Sequence, residues 1–126
     1  MTDSESSDVL LIEDTPSMAR VYLEYLKRGP FRARHCMTGQ EALADIAHNP
    51  TDAVLLDLRL PDMDGREVAR ALRDGVRTRL IPVVALTALR FGGDHDALSA
   101  DGFAGCLEKP IDVRAFPDQV RSYCRR

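Results

Sequence analysis

No apolar run in this sequence approaches the roughly 20 residues needed to cross a bilayer. Its opening, Met1-Thr-Asp-Ser-Glu-Ser-Ser-Asp8, carries neither a basic nor an apolar leader region. Membrane insertion and export are therefore disfavoured, and residues 1–7 are expected to form a disordered acidic tail on a cytoplasmic protein. Positive charge is not in excess either: 17 Lys and Arg face 20 Asp and Glu, for a net charge of −3. Without a basic field or a polybasic stretch, direct nucleic-acid binding is also disfavoured. Cysteine is scarce and odd in number. Cys36, Cys106 and Cys124 are widely spaced, with no CxxC and no histidine-rich partner motif, which argues against both a disulfide framework and a zinc site. They are expected to be reduced thiols packed as small hydrophobes. His35, His48 and His95 show no ligand spacing. Internal repeats, low-complexity tracts and linkers are likewise missing.

What remains is one domain of 126 residues whose 44% hydrophobic content can fill a core. Val9-Leu-Leu-Ile12 is a short, uniformly apolar run, the pattern of a parallel strand covered on both faces. Thr15-Pro16 then opens a helix with Met18, Val21, Tyr22, Tyr25 and Leu26 at helical spacing, stopped by Gly29-Pro30. Phe31 to Cys36 reads as a second, more polar strand suited to a sheet edge, and Thr38-Gly-Gln-Glu41 as a capping box opening a helix over Ala42 to Ala47. Ala53 to Leu56 is a third strand, followed by a helix capped at Asp64-Gly-Arg-Glu67 with Val68, Ala69 and Leu72 turned inward and Gly75 at its end. Ile81 to Leu86 is a fourth strand, Asp94 to Ala100 a short helix, and Phe103 to Leu107 a fifth strand. A last helix starts from an Asp112 cap and runs to Tyr123, with Pro117 implying a kink or a later start. Five alternations of strand and helix give the α/β class: a doubly wound, five-stranded parallel sheet with helices on both faces and the flavodoxin-like order 2-1-3-4-5.

That order places the polar residues. Glu13 and Asp14 follow the first strand, Asp57 the third, Thr87 the fourth and Lys109 the fifth, so all five lie at one sheet edge, at the switch point where such folds bind ligands. Singly, each has a plainer use: Asp14 as a helix cap, Thr87 as a strand end, Lys109-Pro110 as a turn, and Asp62, Asp64 and Gly65 as turn and cap residues. Their coincidence at one edge points to chemistry. Three converging carboxylates call for a cation, and an oxygen-only donor set suits Mg²⁺. A carboxylate beside Mg²⁺ and a lysine can attack phosphorus. Asp57 stands alone at the central strand and is the expected nucleophile, with Glu13 and Asp14 holding metal. Thr87 would donate its hydroxyl to a phosphoryl oxygen, Ala88 would leave the approach open, and Lys109 would supply a point charge. A phosphatase using an aspartyl intermediate is disfavoured, because Arg59 stands where a general acid two residues beyond Asp57 is wanted.

Glu13-Asp14, Asp57 within Leu-Asp-Leu-Arg-Leu-Pro-Asp-Met-Asp-Gly, Thr87-Ala88 and Lys109-Pro110 together resemble the receiver domain of bacterial two-component response regulators, from Val9 to about Tyr123. Stand-alone, chemotaxis-type receivers are the nearest likeness. The resemblance implies that Asp57 accepts a phosphoryl group from a histidine kinase or histidine phosphotransfer protein. It implies Mg²⁺ held by Asp14, Asp57 and the backbone carbonyl of Arg59, with Glu13 acting through water, and a cis peptide bond between Lys109 and Pro110. Activity would be limited to Mg²⁺-dependent self-phosphorylation and self-dephosphorylation. Output would pass to a protein partner on the face of the fourth helix, fifth strand and fifth helix, where a weak homodimer could also form. Arg59, Ala88 and Leu89 occupy positions at which relatives tune phosphoryl lifetime. For Arg59, an exposed ion pair with Glu13 is an equally good account, worth about 0 to 1 kcal/mol. An unphosphorylated adaptor, or a receiver cut from a larger regulator or hybrid kinase, are the alternatives.

One position departs from the family. Its switch couples Thr87 to an aromatic residue three places before the lysine, and here that residue is Cys106. Either other residues such as Phe91 or Phe103 carry the signal, or the output face responds weakly. Replacing Cys106 with tyrosine separates these. A larger phosphorylation-dependent shift in partner affinity marks the thiol as limiting, and an unchanged shift shows that it is not.

Overall fold

Apolar runs with no polar face can be buried only in the middle of a layered fold, and the computed structural model, which describes residues 6–88 and 98–124, places them there. β1 (Ser7–Ile12), β3 (Ala53–Asp57) and β4 (Val83–Thr87) are the three central strands, flanked by β2 (Phe31–Cys36) and β5 (Gly105–Glu108) at the edges. The order is β2-β1-β3-β4-β5, with every pairing parallel. β1 begins at Ser7, two residues ahead of the expected start and inside the expected tail, of which residues 1–5 lie outside the described ones.

Strand alternation splits the apolar side chains between two cores. Leu10, Ile12, Val54, Leu56, Val83 and Ala85 face α2 (Gly39–His48), α3 (Gly65–Asp74) and α4, which is described over residues 98–100. Val9, Leu11, Leu55, Val84 and Leu86 face α1 (Pro16–Leu26) and α5 (Phe116–Tyr123). Among the described residues no helix is long and apolar enough to cross a membrane. None of the three cysteines is in a disulfide, and each is partly buried against one core or the other.

Several local expectations shift. On α1 the buried stripe is Ala19, Tyr22 and Leu26, whereas Met18 and Val21 are each 40% exposed. Two apolar stripes one residue apart fit the same helical period, and the helix turns small Ala19 to the sheet. The capping box of α2 is offset: the Thr38 hydroxyl accepts from the Glu41 amide, but the Glu41 carboxylate accepts from Met37. The α3 box is complete, with Asp64 and Glu67 each accepting from the other's end of the turn, a contribution of about 1 kcal/mol. β4 starts after Pro82 rather than at Ile81. β5 starts at Gly105 rather than Phe103, because Gly102 takes a positive φ of 100° and the Phe103 amide closes back on Leu98 O. α5 starts late, with Pro117 in its first turn, while Asp112 closes a separate turn through Arg114. Of the expected helix from Asp94, residues 94–97 lie outside the described ones, as do Leu89, Phe91 and His95.

Edge strand β2 carries its charges in pairs. Arg32 donates to both oxygens of Asp8, and Arg34 reaches Asp45, Thr51 and the Pro50 carbonyl. At the other end of the layer, Gly65 permits the close return of the loop after β3. A Cβ there would lie 2.8 Å from the Asp57 carbonyl oxygen and 2.8 Å from the Leu58 Cα. Gly39 faces only the movable end of Met63 and a methyl of Val68. Gly65→Ala is therefore expected to cost about 1–3 kcal/mol, and Gly39→Ala distinctly less, in urea unfolding of the two variants.

Candidate functional site

Three strand ends and one strand extension deliver the polar residues to a single edge. Ile12 ends β1, so Glu13 and Asp14 follow at once; Asp57 and Thr87 are the last residues of β3 and β4; Lys109 follows β5 and its amide donates to the Thr87 carbonyl at 2.8 Å. That backbone bond fixes the lysine beside the threonine. The Lys109–Pro110 peptide bond is cis.

The carboxylates differ in how they are held. One Asp57 oxygen accepts from the Arg59 amide at 2.9 Å and the other from Lys109 Nζ at 3.2 Å. Glu13 is only 1% exposed; its Oε2 accepts from the Thr15 amide at 3.2 Å, and its Oε1 has no hydrogen-bond partner, with Lys109 Nζ 3.8 Å away. Oxygens of Glu13, Asp14 and Asp57 all lie within 4.8 Å of one another. At about 4 Å two like charges repel by roughly 4 kcal/mol at an effective dielectric constant of about 20, so one lysine does not balance three acids. Burial, reinforced by the Asp57 carboxylate, accordingly pushes Glu13 up to about 7. The orphaned Glu13 oxygen and the all-oxygen donor set fit a hard divalent cation.

Above this floor opens a cleft of about 640 Å³, lined among others by Asp14, Asp57, Arg59, Arg66, Thr87 and Lys109. Every site residue named from the sequence that falls among the described ones is at this edge except Cys106. Glu13 lies beneath the cleft floor, and Ala88 is exposed at the rim. Cys106 sits on β5 opposite Ala85, partly buried against the α2–α3 core, its thiol pushed up by burial and by Glu108. Phe103 is 5% exposed in the same core. The pairing of Arg59 with Glu13 is not made: among the described residues, Glu13 has Lys109 as its cation, while Arg59 is exposed and bridges Asp64 through its backbone.

Three groups have a place at the site that the sequence reading did not give them. Arg66 lines the cleft because the first turn of α3 follows directly on the loop after β3, a position that could have marked it. Thr15 serves Glu13 through its backbone, which no side-chain pattern signals. Tyr22 was read as core and is core, packed 5.3 Å from Phe116, yet its hydroxyl lacks a hydrogen-bond partner, and burial, with Glu13 and Asp57 nearby, pushes it up to about 12.

Comparison with known proteins gives concordant likenesses. Residues 9–121 match the family model described as response regulator receiver domain. The polar-differentiation response regulator DivK of Brucella ovis is 32% identical over 120 residues, which span 94% of this chain and 96% of that protein. A sensor protein from Polaromonas is 32% identical with a TM-score of 0.84, the match covering 93% of this chain and 94% of that one. The receiver domain of a Pseudomonas aeruginosa sensor histidine kinase, solved with a magnesium ion coordinated in its active-site cleft, is 28% identical with a TM-score of 0.83, over 94% and 97% of the two chains.

The raised pKa of Glu13 has a consequence for stability in metal-free solution. Between the ordinary value of 4.5 and about 7, the native state holds a proton that the unfolded chain has released, so stability falls as pH rises through that window. Urea unfolding in the presence of a chelator should show this decline, and Glu13→Gln should flatten it. A decline undiminished in the variant would assign it to another group.

Proposed function

This chain belongs to the response-regulator receiver-domain family, and on that premise we propose that Asp57 is its phosphoryl acceptor, loaded by a histidine kinase or histidine phosphotransfer protein. Receiver domains are signalling modules of two-component systems; phosphorylation by a histidine kinase is the family's general function, and they act through kinases and downstream targets rather than as turnover enzymes. The observation that carries the assignment is the anchoring of Asp57: one oxygen on the Arg59 amide, the other on Lys109 Nζ, at the floor of an open cleft.

In this reading an Asp57 oxygen forms a bond to phosphorus in line with the donor's P–N bond, whose electron pair returns to the donor imidazole. Lys109 then keeps its charge against the phosphoryl oxygens, and the buried Thr87 hydroxyl donates to one of them. Asp14, Asp57 and the Arg59 carbonyl would hold Mg²⁺, with Glu13 acting through water; when bound, the ion neutralises developing phosphoryl charge. Arg59 and Ala88, which line the cleft, would border the path of the hydrolytic water, and Leu89, named with them from the sequence, lies outside the described residues. A small-molecule phosphoryl donor should serve in place of the kinase, giving self-phosphorylation and self-dephosphorylation without further catalysis. The output surface of this reading is α4, β5 and α5, engaged by a protein partner in the cytoplasm. An unphosphorylated adaptor is the second reading, favoured by a partly buried Cys106 where an aromatic switch would stand.

Intact-mass analysis after incubation with Mg²⁺ and acetyl phosphate tests the first reading directly. One phosphoryl adduct is expected on the wild type and none on Asp57→Asn, with chelator abolishing the signal. Lys109→Met should suppress the adduct. An adduct that persists in Asp57→Asn, or a wild type that never acquires one, overturns the assignment and leaves the adaptor.

A further inference from the structure

The loop that joins β3 to α3 carries Arg59, which lines the cleft, and it is attached to the rest of the molecule at two ends. Near its base, the Gly65 amide donates to the Leu58 carbonyl at 2.9 Å, and Arg59 and Asp64 form a bridge across the loop. At its tip, Asp62 reaches another element altogether. One of its carboxylate oxygens accepts from the Gly39 amide and the other from the Gln40 amide, both at 2.9 Å.

Gly39 and Gln40 are the first two residues of α2, so their amides have no partner within the helix. Thr38 serves the next amide, that of Glu41. The helix N-terminus favours a carboxylate, and the two amide bonds hold Asp62 below the usual carboxylate range. The fit is steric as well: Met63 lies against Gly39, where a Cβ would collide with its sulfur, and it packs on the core with Leu58 and Leu60.

We propose that Asp62 is a positioning residue for the cation site: by clamping the loop tip to the start of α2 it fixes the Arg59 carbonyl in the cleft before an ion arrives. This rests on the reading of Asp57 and Mg²⁺ given above. Asp62 is exposed, and among the described residues its carboxylate bonds reach Gly39 and Gln40 and not the three clustered acids; its effect passes along Leu60 and Pro61, which separate it from Arg59. With the clamp removed, what holds the tip among the described residues is the apolar packing of Leu60 and Met63. The carbonyl must then be ordered at the moment of binding, and affinity falls. Partners behind a ligand commonly contribute tenfold or more to metal affinity.

Calorimetric titration with Mg²⁺ alone tests this on the wild type, Asp62→Ala, Asp62→Asn and Asp74→Asn. Asp74 is the charge control, lying 74% exposed at the far end of α3. Affinity is expected to fall about tenfold in Asp62→Ala and by less in Asp62→Asn, which keeps one accepting oxygen. Asp74→Asn should bind as the wild type does. Thermal midpoints should stay close to the wild type's, at least in Asp62→Asn, while amide exchange quickens at Gly39 and Gln40. Unchanged affinity in both Asp62 variants overturns the proposal, as does an equal loss in Asp74→Asn, which would reduce the effect to net charge. A wild type that binds no Mg²⁺ overturns the underlying reading instead, and the two failures are distinct.

Discussion

The mutual repulsion of Glu13, Asp14 and Asp57 is the constraint on which the rest of this structure turns. Three carboxylates within 4.8 Å of one another, two of them buried, oppose folding unless something fixes them and something offsets their charge. The fixing comes from three strands whose side chains are apolar on both faces and whose parallel register brings their ends to one edge. The offset comes from Lys109, held by its own backbone to Thr87 and shared between Glu13 and Asp57. One cation among three acids leaves a residual negative field. That residue of charge fits a hard divalent ion.

Most of the architecture was legible because it rests on local patterns with little competition. Uniform apolar runs such as Val9 to Ile12 and Ala53 to Leu56 have one comfortable location, and the alternation of strand with helix leaves few topologies. The site was legible for the same reason: once the strand order is known, residues that end strands become neighbours. Where the reading slipped, a choice between near-equal alternatives was decided by packing. Met18 and Val21 fit the helical period as well as Ala19 and Tyr22 do, and only the space against the sheet separates them. The start of β5 depended on a positive φ at Gly102, which the sequence around Phe103 does not announce. The pairing of Glu13 with Lys109 rather than Arg59 is a matter of depth, since Arg59 points outward at the rim and Lys109 reaches down.

Cys106 sets apart what the acid cluster does from what the molecule can communicate. The thiol lies on the face of β5 that looks toward the α2–α3 core, and with its pKa raised by burial it behaves as a small apolar side chain. A group that size cannot exchange between a buried and an exposed position with the large change in surface that a ring provides. Any rearrangement following chemistry at Asp57 must therefore be carried by the backbone of β4 and β5, which the Lys109 to Thr87 bond couples, or by other side chains.

The paired charges of β2 bear on how copies of this protein can meet. An outer strand offers a row of unpaired backbone groups, an open invitation to another strand. Here Arg32 and Arg34 stand two residues apart on that strand, each committed to an acid of its own chain, Asp8 and Asp45. A neighbouring strand could add only by crowding these guanidinium groups and disturbing both pairs. Both guanidinium groups of this edge are thereby engaged within one chain, which disfavours growth of the sheet there.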